Sequence, residues 1–247
     1  MPIVDDPAVN DGPTIGFGPL HLTPIGTEFL ANTVVANAQS EPWVAGLASG
    51  GFVVAWRSFG PSPTFDDVKG QVFDASGAKV GGEFLVNTAT TVSQIQPTVT
   101  GLAAGGFIVA WQDAGTSPAS IKAQLYDATG VAVGGEMLVS TDTAGSQQQP
   151  AVTALSAGGF VLTWTSFNGT DVKAQLYDAS GAKVGAEFLA NTTTTNSQTE
   201  SSVASLASAG SWSAGPTRAP WAAMPAAPRS RRRCSMPRGR RSGASSW

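Results

Sequence analysis

The stretch that decides the fold is Gly105-Gly-Phe-Ile-Val-Ala-Trp111, in which two glycines lead into an apolar run that ends in tryptophan. Closely similar text stands at 50–56 and at 158–164. Paired glycines supply the positive φ that a tight hairpin needs. An unbroken apolar run of this length predicts a strand that is covered on both faces. The three copies therefore predict an all-β array in which neighbouring repeats bury each other.

The copies belong to a repeat whose period is 55, 53 and then 51 residues, measured between the anchor glutamines Gln39, Gln94, Gln147 and Gln198. One segment absorbs all the change in length, namely the one that follows each tryptophan. Steps of two residues are what a β-hairpin tolerates, because a one-residue slip turns every side chain to the other face. We therefore expect three exposed loops of unequal length, at 57–67, 112–120 and 165–171.

Within one unit the pattern predicts four short strands, at 83–88, 98–102, 107–112 and 121–127. The turn Asp127-Ala-Thr-Gly130, which recurs at 74–77 and 178–181, is typical of an Asx turn that ends in a left-handed glycine. Four antiparallel strands per repeat predict β-propeller-like blades. A β-solenoid and a string of small sandwiches are the alternatives. About three and a half units are present, so the array is an open arc, closes by self-association, or lacks blades.

The repeat divides the chain into a lead segment at 1–26, the array at 27–208 and a tail at 209–247. By the spacing, a Gly-Gly-Phe text should begin at residue 209, but the pattern stops after Ser208. Codons for the expected text, read one base later, give the observed residues 209–216, and blocks at 230–237 and 242–247 fit in the same way. The sequence therefore predicts a frameshifted, disordered tail. Its seven arginines between 229 and 241 would otherwise indicate a nucleic-acid or targeting patch.

Composition restricts the partners of the array. Residues 1–208 carry six Lys and Arg against all 17 Asp and Glu, and such an acidic body repels nucleic acid. The one cysteine, Cys234, lies in the tail, so the array contains no disulfide. The N-terminus lacks the pattern of a signal peptide, and no apolar run is long enough for a membrane span. We expect neighbouring blades or an unidentified ligand as partners.

Two recurring residue types are open to a functional interpretation. Trp56, Trp111 and Trp164 could form sugar-stacking platforms, but their place at the end of apolar runs favours a role in the blade core. The turn aspartates Asp74 and Asp127 could bind calcium. However, a hard cation takes six or more oxygen ligands, and a hydrogen-bonded turn accounts for both aspartate and glycine. We therefore predict no metal or cofactor site.

The array lacks recognisable catalytic machinery. The only histidine, His21, lies in the lead segment, and no Gly-x-Ser-x-Gly is present, so a hydrolytic triad is not expected. Sialidase-type propellers hold their substrate with several arginines, whereas the array offers Arg57 alone. Asp66 and Asp67 are adjacent, and side chains of adjacent strand residues point to opposite faces. We therefore predict no catalytic residues and a chain that is not an enzyme.

The text Gly50-Gly-Phe-Val-Val-Ala-Trp56, followed by 72–77 and 80–88, resembles tandem repeats of large secreted bacterial proteins that often carry hemolysin-type (RTX) calcium-binding arrays. The resemblance covers about 26–208 and implies an extracellular or cell-surface setting. It implies calcium for the parent family, but the Gly-Gly-x-Gly-x-Asp nonapeptide is missing here, so no residue of this chain takes over that role.

These observations lead to an expected function and two alternatives. The first expectation is a non-enzymatic structural or adhesive module of a larger secreted protein. The first alternative is a lectin-like propeller that binds its ligand through the variable loops. The loops differ in length and sequence either because they carry function or through neutral drift, which exposed loops tolerate. The second alternative is a fragment of a propeller hydrolase.

The frameshift hypothesis makes a prediction about the gene. We expect the nucleotide sequence around codon 209, read one base earlier, to encode Gly-Gly-Phe followed by an apolar run and tryptophan. Resequencing the genomic DNA checks this. A confirmed reading frame whose other phases encode no repeat text after residue 208 would reject the hypothesis.

Overall fold

The computed structural model describes residues 28–60 and 65–205 and the backbone of 212–216. Its strands form three complete blades and one hairpin. Blade 1 consists of β1 (Gln39–Gly46), β2 (Phe52–Ser58), β3 (Asp67–Phe73) and β4 (Lys79–Leu85). Blade 2 consists of β5 (Gln94–Gly101), β6 (Phe107–Asp113), β7 (Ser120–Tyr126) and β8 (Ala132–Leu138). Blade 3 consists of β9 (Gln147–Ala154), β10 (Phe160–Ser166), β11 (Asp171–Tyr177) and β12 (Lys183–Leu189), and the hairpin of β13 (Ser201–Ser205) and β14 (Trp212–Pro216).

Each blade is an antiparallel meander in which every strand pairs with the next one in the chain. The first strands β1, β5, β9 and β13 lie side by side in that order. The all-β class and the four-stranded, propeller-like blades are thus confirmed. None of the described residues belongs to a helix, so a membrane-crossing helix is not found among them.

The strand predicted at 83–88 begins earlier and belongs to a different blade than predicted. The sequence places it first in the unit that continues to residue 127, whereas the structure has β4 at Lys79–Leu85 as the last strand of the preceding blade. It begins earlier because the Asp74 turn is so tight that pairing resumes at once, with Phe73 opposite Lys79. The Asp74 carboxylate accepts hydrogen bonds from Ser76 and from the Ala78 backbone at 3.0 Å. The same contacts recur at Asp127 and Asp178, which confirms the Asx-turn interpretation.

The core lies between the blades. We call the side that bears Phe107, Val109 and Trp111 in blade 2 the front face, and the opposite side the back face. The front face of blade 2 packs on the back face of blade 1, which offers Val53 and Ala55. The front face of blade 3 packs in the same way on the back face of blade 2. All seven residues of β6 and all seven of β10 are buried, which confirms strands covered on both sides.

The recurring tryptophans are core residues, as predicted. Trp111 and Trp164 are completely buried, and Trp56 is 3% exposed. The indole N–H of Trp111 donates to Oε1 of Gln94 at 2.7 Å, and that of Trp164 donates to Gln147 at 2.8 Å. These bonds explain why a glutamine stands 17 residues before the tryptophan in blades 2 and 3. Buried polar groups need such partners, because an unpaired donor in the core is costly.

A second recurring glutamine is buried although its strand position indicates an outward side chain. The Gln71 side chain is fully buried, and its amide donates to the carbonyls of Val72, Val80 and Gly81 within 3.3 Å. Gln124 and Gln175 make the matching contacts. They lie where the pairing of the third and fourth strands shifts by a bulge, and there the amide satisfies carbonyls that the ladder leaves open.

The recurring glutamate of each outermost strand accepts hydrogen bonds from the linker that precedes the first strand of the same blade. Glu83 accepts from the backbone N–H of Thr33 at 2.7 Å and pairs with Lys69 at 3.2 Å. Glu187 accepts from the backbone of Thr141 in the same way. Burial alone would raise the pKa of Glu83, but the bonds from Thr33 and Lys69 outweigh it and lower the pKa to about 2. The carboxylate therefore stays charged over the neutral range.

The hairpin β13–β14 departs from the shared register. In the complete blades Ala45 pairs with Val53 and Thr100 with Ile108, and the same spacing would place Ala204 opposite residue 212. Instead, Ala204 pairs with Ser213. Strand β14 lies in the segment 209–247 for which the sequence predicts disorder, so five residues of that segment are paired. The other residues of that segment lie outside the described part of the chain, as does the lead segment 1–26.

The tryptophan–glutamine bond provides a stability test with a control inside the same chain. We expect Gln147→Leu to lower the free energy of unfolding by about 1–3 kcal/mol, because it leaves the buried indole N–H of Trp164 unpaired. In blade 1 neither the Trp56 indole nitrogen nor Gln39 Oε1 has a hydrogen-bond partner. Gln39→Leu should therefore change the free energy of unfolding by less than about 0.5 kcal/mol. Urea unfolding measures both, and equal losses would contradict the assignment.

Candidate functional site

Each blade begins with a strained residue at the same position. Glu41, Gln96, Gln149 and Glu200 have φ of 53°, 53°, 55° and 57°. A left-handed conformation costs a residue other than glycine about 1–2 kcal/mol. In the first three blades a proline follows, and the strand pairing shifts register there. Because proline has no N–H, it leaves no ladder donor unpaired at this bulge.

The strained residues connect the blades to each other. The backbone N–H of Gln96 donates to the Glu41 carboxylate at 2.8 Å. The N–H of Gln149 donates to the Gln96 side chain at 2.9 Å, and the N–H of Glu200 donates to the Gln149 side chain at 3.3 Å. Each side chain thus binds the corresponding residue of the next blade. We call this series of bonds the axial relay.

A cavity of about 560 Å³ lies along the axial relay. It is bounded by the first strands of the three blades and by β13, and its lining contains the four relay residues. The remaining lining residues are Trp43, Pro97, Thr98, Pro150, Ala151, Val152, Ser201, Ser202 and Val203. An apolar wall with a few convergent polar groups is typical of a small-molecule binding site.

Trp43 is the residue in this cavity that departs most from the repeat. The equivalent residues, which follow the bulge proline or its counterpart, are Thr98, Ala151 and Ser202, all small. The Trp43 side chain is 50% exposed, whereas the recurring tryptophans of the blade cores are buried. An aromatic ring that stands half exposed in a cavity offers a flat apolar surface to a ligand.

One edge of the cavity carries a network of charges. The Arg57 guanidinium binds the Glu41 carboxylate at 3.1 Å, binds Asp66, and lies 4.2 Å from the centre of the Phe59 ring. Burial alone would lower the pKa of Arg57, but the bonds from Asp66 and Glu41 outweigh it and raise the pKa. Two contacts therefore fix the Glu41 carboxylate, one with Arg57 and one with the Gln96 N–H.

Two of the variable loops begin next to residues of the cavity lining. Arg57 and Ser58 end β2 opposite the beginning of β1, so the loop at 57–67 starts beside the relay residue Glu41. In blade 3, Thr165 donates its hydroxyl to Gln149 at 3.1 Å.

Asp66 binds Arg57 and Asp67 binds the Asn87 amide, so the two carboxylates do not act as a pair. This confirms that adjacent strand residues point apart.

The structure describes no metal site. Among residues 28–60 and 65–205, no group of three or more His, Cys, Asp or Glu side chains is arranged to hold an ion. The carboxylates of Asp74 and its counterparts are engaged by their own turns. His21 lies outside the described residues.

The fold is similar to that of several solved structures. No protein-family model and no curated protein sequence matches the chain. An endo-arabinase from Bacteroides thetaiotaomicron matches with a TM-score of 0.51 and 13% identity, over 75% of this chain and 73% of that one. A protein of unknown function from Dyadobacter fermentans matches with a TM-score of 0.52 and 10% identity, over 71% and 56%. An α-L-arabinanase from Penicillium chrysogenum, complexed with arabinobiose, matches with a TM-score of 0.48 and 14% identity, over 72% and 59%.

This comparison corrects the functional prediction. The sequence analysis expects a non-enzymatic structural or adhesive module and a chain that is not an enzyme, and both expectations are contradicted because the endo-arabinase that shares the fold is a glycoside hydrolase. The expectation rested on the lack of a triad and of an arginine cluster in the array. It did not consider the cavity that the first strands of the blades line together.

Sequence reasoning also missed the residues that form the cavity. The signal was present in the repeated pairs Glu41-Pro and Gln96-Pro97, which are polar residues fixed before proline at the start of each blade. The second signal was Trp43, a tryptophan outside the repeated tryptophan position. The residues that recur in the repeat identified the core, whereas the residues that depart from it would have identified the cavity.

Proposed function

We propose that the chain is part of a propeller glycoside hydrolase and that its axial cavity binds a sugar unit of a glycan. The observation that carries the proposal is Trp43, which stands half exposed in a cavity whose lining also contains Glu41 and Glu200. The fold shared with the endo-arabinase supports the choice of reaction class. It also makes arabinan the first substrate to test.

The cavity has the chemistry that a sugar needs. Sugars present an apolar face of C–H groups and an edge of hydroxyls, so that one side packs on an aromatic ring while the other takes hydrogen bonds. Trp43 provides the ring. The exposed hydroxyl of Ser202 provides a neutral donor and acceptor in the same lining.

The hydrolytic step is assigned to the two carboxyl groups of the lining. Glycoside hydrolysis takes one carboxylic acid that protonates the leaving oxygen, and one carboxylate that acts as base or nucleophile. We assign the second role to Glu41, whose position is fixed by Arg57 and by the Gln96 N–H. The proton donor is then Glu200, which stands at the same position of the repeat three units later.

The experiment measures binding and cleavage separately. Calorimetry with arabinan oligosaccharides gives the dissociation constant, and the release of reducing ends gives the rate. We expect Trp43→Ala to raise the dissociation constant about tenfold or more, which corresponds to about 1.4 kcal/mol. Glu200→Gln should abolish cleavage and leave binding within about threefold, because the amide keeps the shape of the side chain but cannot donate the proton.

The matched control is Phe167→Ala, which removes an aromatic side chain of similar exposure, 45%, outside the cavity. It should leave both quantities unchanged. Binding without cleavage by the native chain would favour the lectin-like alternative. Equal binding by the native chain and Trp43→Ala would contradict the proposed site.

A further inference from the structure

The variable loop of blade 3 carries an asparagine that is followed directly by glycine. Asn168 and Gly169 lie at the tip of this loop, between β10, which ends at Ser166, and β11, which begins at Asp171. Gly169 has φ of 96° and Thr170 has φ of 59°. The Asn168 side chain is exposed. The tip is therefore a tight turn with two successive left-handed residues, and its asparagine is open to water.

An asparagine and the glycine that follows it can react with each other. Attack by the Gly169 backbone nitrogen on Cγ of Asn168 closes a five-membered ring, and the two groups are held together by the chain itself. A Cβ on the attacking residue would hinder this approach, and glycine has none. The pair thus contains both reactants of an intramolecular deamidation.

The other asparagines of the array differ from Asn168 in one of two ways. Asn37 and Asn196 are also exposed and left-handed, with φ of 64° and 68°, but they are followed by alanine and serine. The side-chain carbonyls of Asn87 and Asn191 each accept a backbone N–H of the third strand at 2.7 Å. Asn168 is the one asparagine in the chain that precedes glycine.

The Asn168 side chain contacts an ion pair of the linker that precedes blade 3. Its Nδ2 donates to Oδ2 of Asp142 at 3.3 Å, and Lys173 donates to the same oxygen at 2.7 Å. Lys173 also pairs with Glu187 at 2.9 Å. The bonds from Lys173 and from the Ala144 N–H lower the pKa of Asp142 to about 2, so this carboxylate is charged over the neutral range. The Asn168 amide is thus a donor that faces a negative charge.

The loop also packs tightly against this linker. The backbone N–H of Phe167 donates to the carbonyl of Ser146 at 2.9 Å. A Cβ placed on Gly145 would lie 2.8 Å from the backbone nitrogen of Asn168, so the two segments fit together only because residue 145 is glycine. A change of charge or of chain length at Asn168 is therefore transmitted to the linker.

We propose that Asn168 is a site of spontaneous covalent modification, at which deamidation through Gly169 replaces an amide donor by a carboxylate and loosens the loop from the linker. In this reaction the Gly169 N–H gives its proton to hydroxide, and the nitrogen forms a bond to Cγ of Asn168. The bond from Cγ to Nδ2 breaks, and the Nδ2 group takes a proton from water and leaves as ammonia. The product of this step is a cyclic succinimide.

Water then opens the succinimide in either of two ways. Addition at Cγ breaks the new bond to nitrogen and gives aspartate, whereas addition at the main-chain carbonyl breaks the original peptide bond and gives isoaspartate. Both products place a second carboxylate beside Asp142, where like charges repel each other. Isoaspartate also adds one carbon to the main chain of a turn that joins Ser166 and Asp171, which are paired. The proposal is independent of any glycan at the axial cavity.

The reaction is tested by peptide mass spectrometry of the full chain after incubation at neutral and at alkaline pH. We expect a gain of about 1 Da at Asn168. The gain should appear faster at the higher pH, because the deprotonated amide is the attacking group. It should be at least about tenfold slower at Asn37 and Asn196, whose following residues carry a Cβ. An unchanged Asn168, or equal rates at Asn168 and Asn196, would overturn the proposal.

Asn168→Asp tests the structural consequence without waiting for the reaction. We expect the Phe167 amide to exchange with solvent at least about threefold faster in this variant than in the native chain. Added salt should reduce the difference, because it screens the repulsion from Asp142. Asn196→Asp is the matched control, since it adds the same charge in the linker that follows blade 3, and it should leave the exchange of Phe167 unchanged. Native exchange of Phe167 in Asn168→Asp, or equal effects of the two variants, would contradict the proposal.

Discussion

The structure depends on one constraint, which is that the tryptophan-ended strand of each repeat must be covered on both faces. A single four-stranded sheet cannot do this, because an isolated sheet has no layer that covers its faces. Stacking solves the problem, because the front face of Trp111 and Phe107 meets the back face of blade 1 while Ile108 meets blade 3. The repeat in the sequence follows from this constraint, as each unit is at once the core of one neighbour and the cover of the other.

The sequence predicted the parts of the fold that recur. The apolar runs, the Gly105-Gly106 hairpin and the Asp127 turn each carry their physical reason in a few adjacent residues, and all lie as expected. The buried Gln71 was not predictable from strand alternation, because its place inside depends on a bulge in the partner strand. The left-handed Glu41 was not predictable either. Its side chain satisfies an N–H 55 residues away in the next blade, and local sequence does not encode such a contact.

The proposed function depends on the axial cavity, where the repeats differ. Recurrence builds a uniform scaffold, and the axial relay holds its blades in register at a cost in backbone strain at each blade. On that scaffold Trp43 departs from the small residues at its equivalent positions, and Glu200 lines the same cavity. The extracellular setting, the secreted-repeat resemblance and the frameshift after Ser208 stay predictions. The non-enzymatic module is contradicted, and a glycan-acting propeller is proposed in its place.

The most direct test of stacking is amide hydrogen exchange across blades 2 and 3. If neighbouring blades bury the second strands, the amides of Phe107–Asp113 and Phe160–Ser166 exchange most slowly in the chain and at similar rates. The outer strands β8 and β12 should exchange at least about tenfold faster, since most of their residues are exposed. Outer strands as slow as β6 and β10, or a large difference between β6 and β10, would contradict the account.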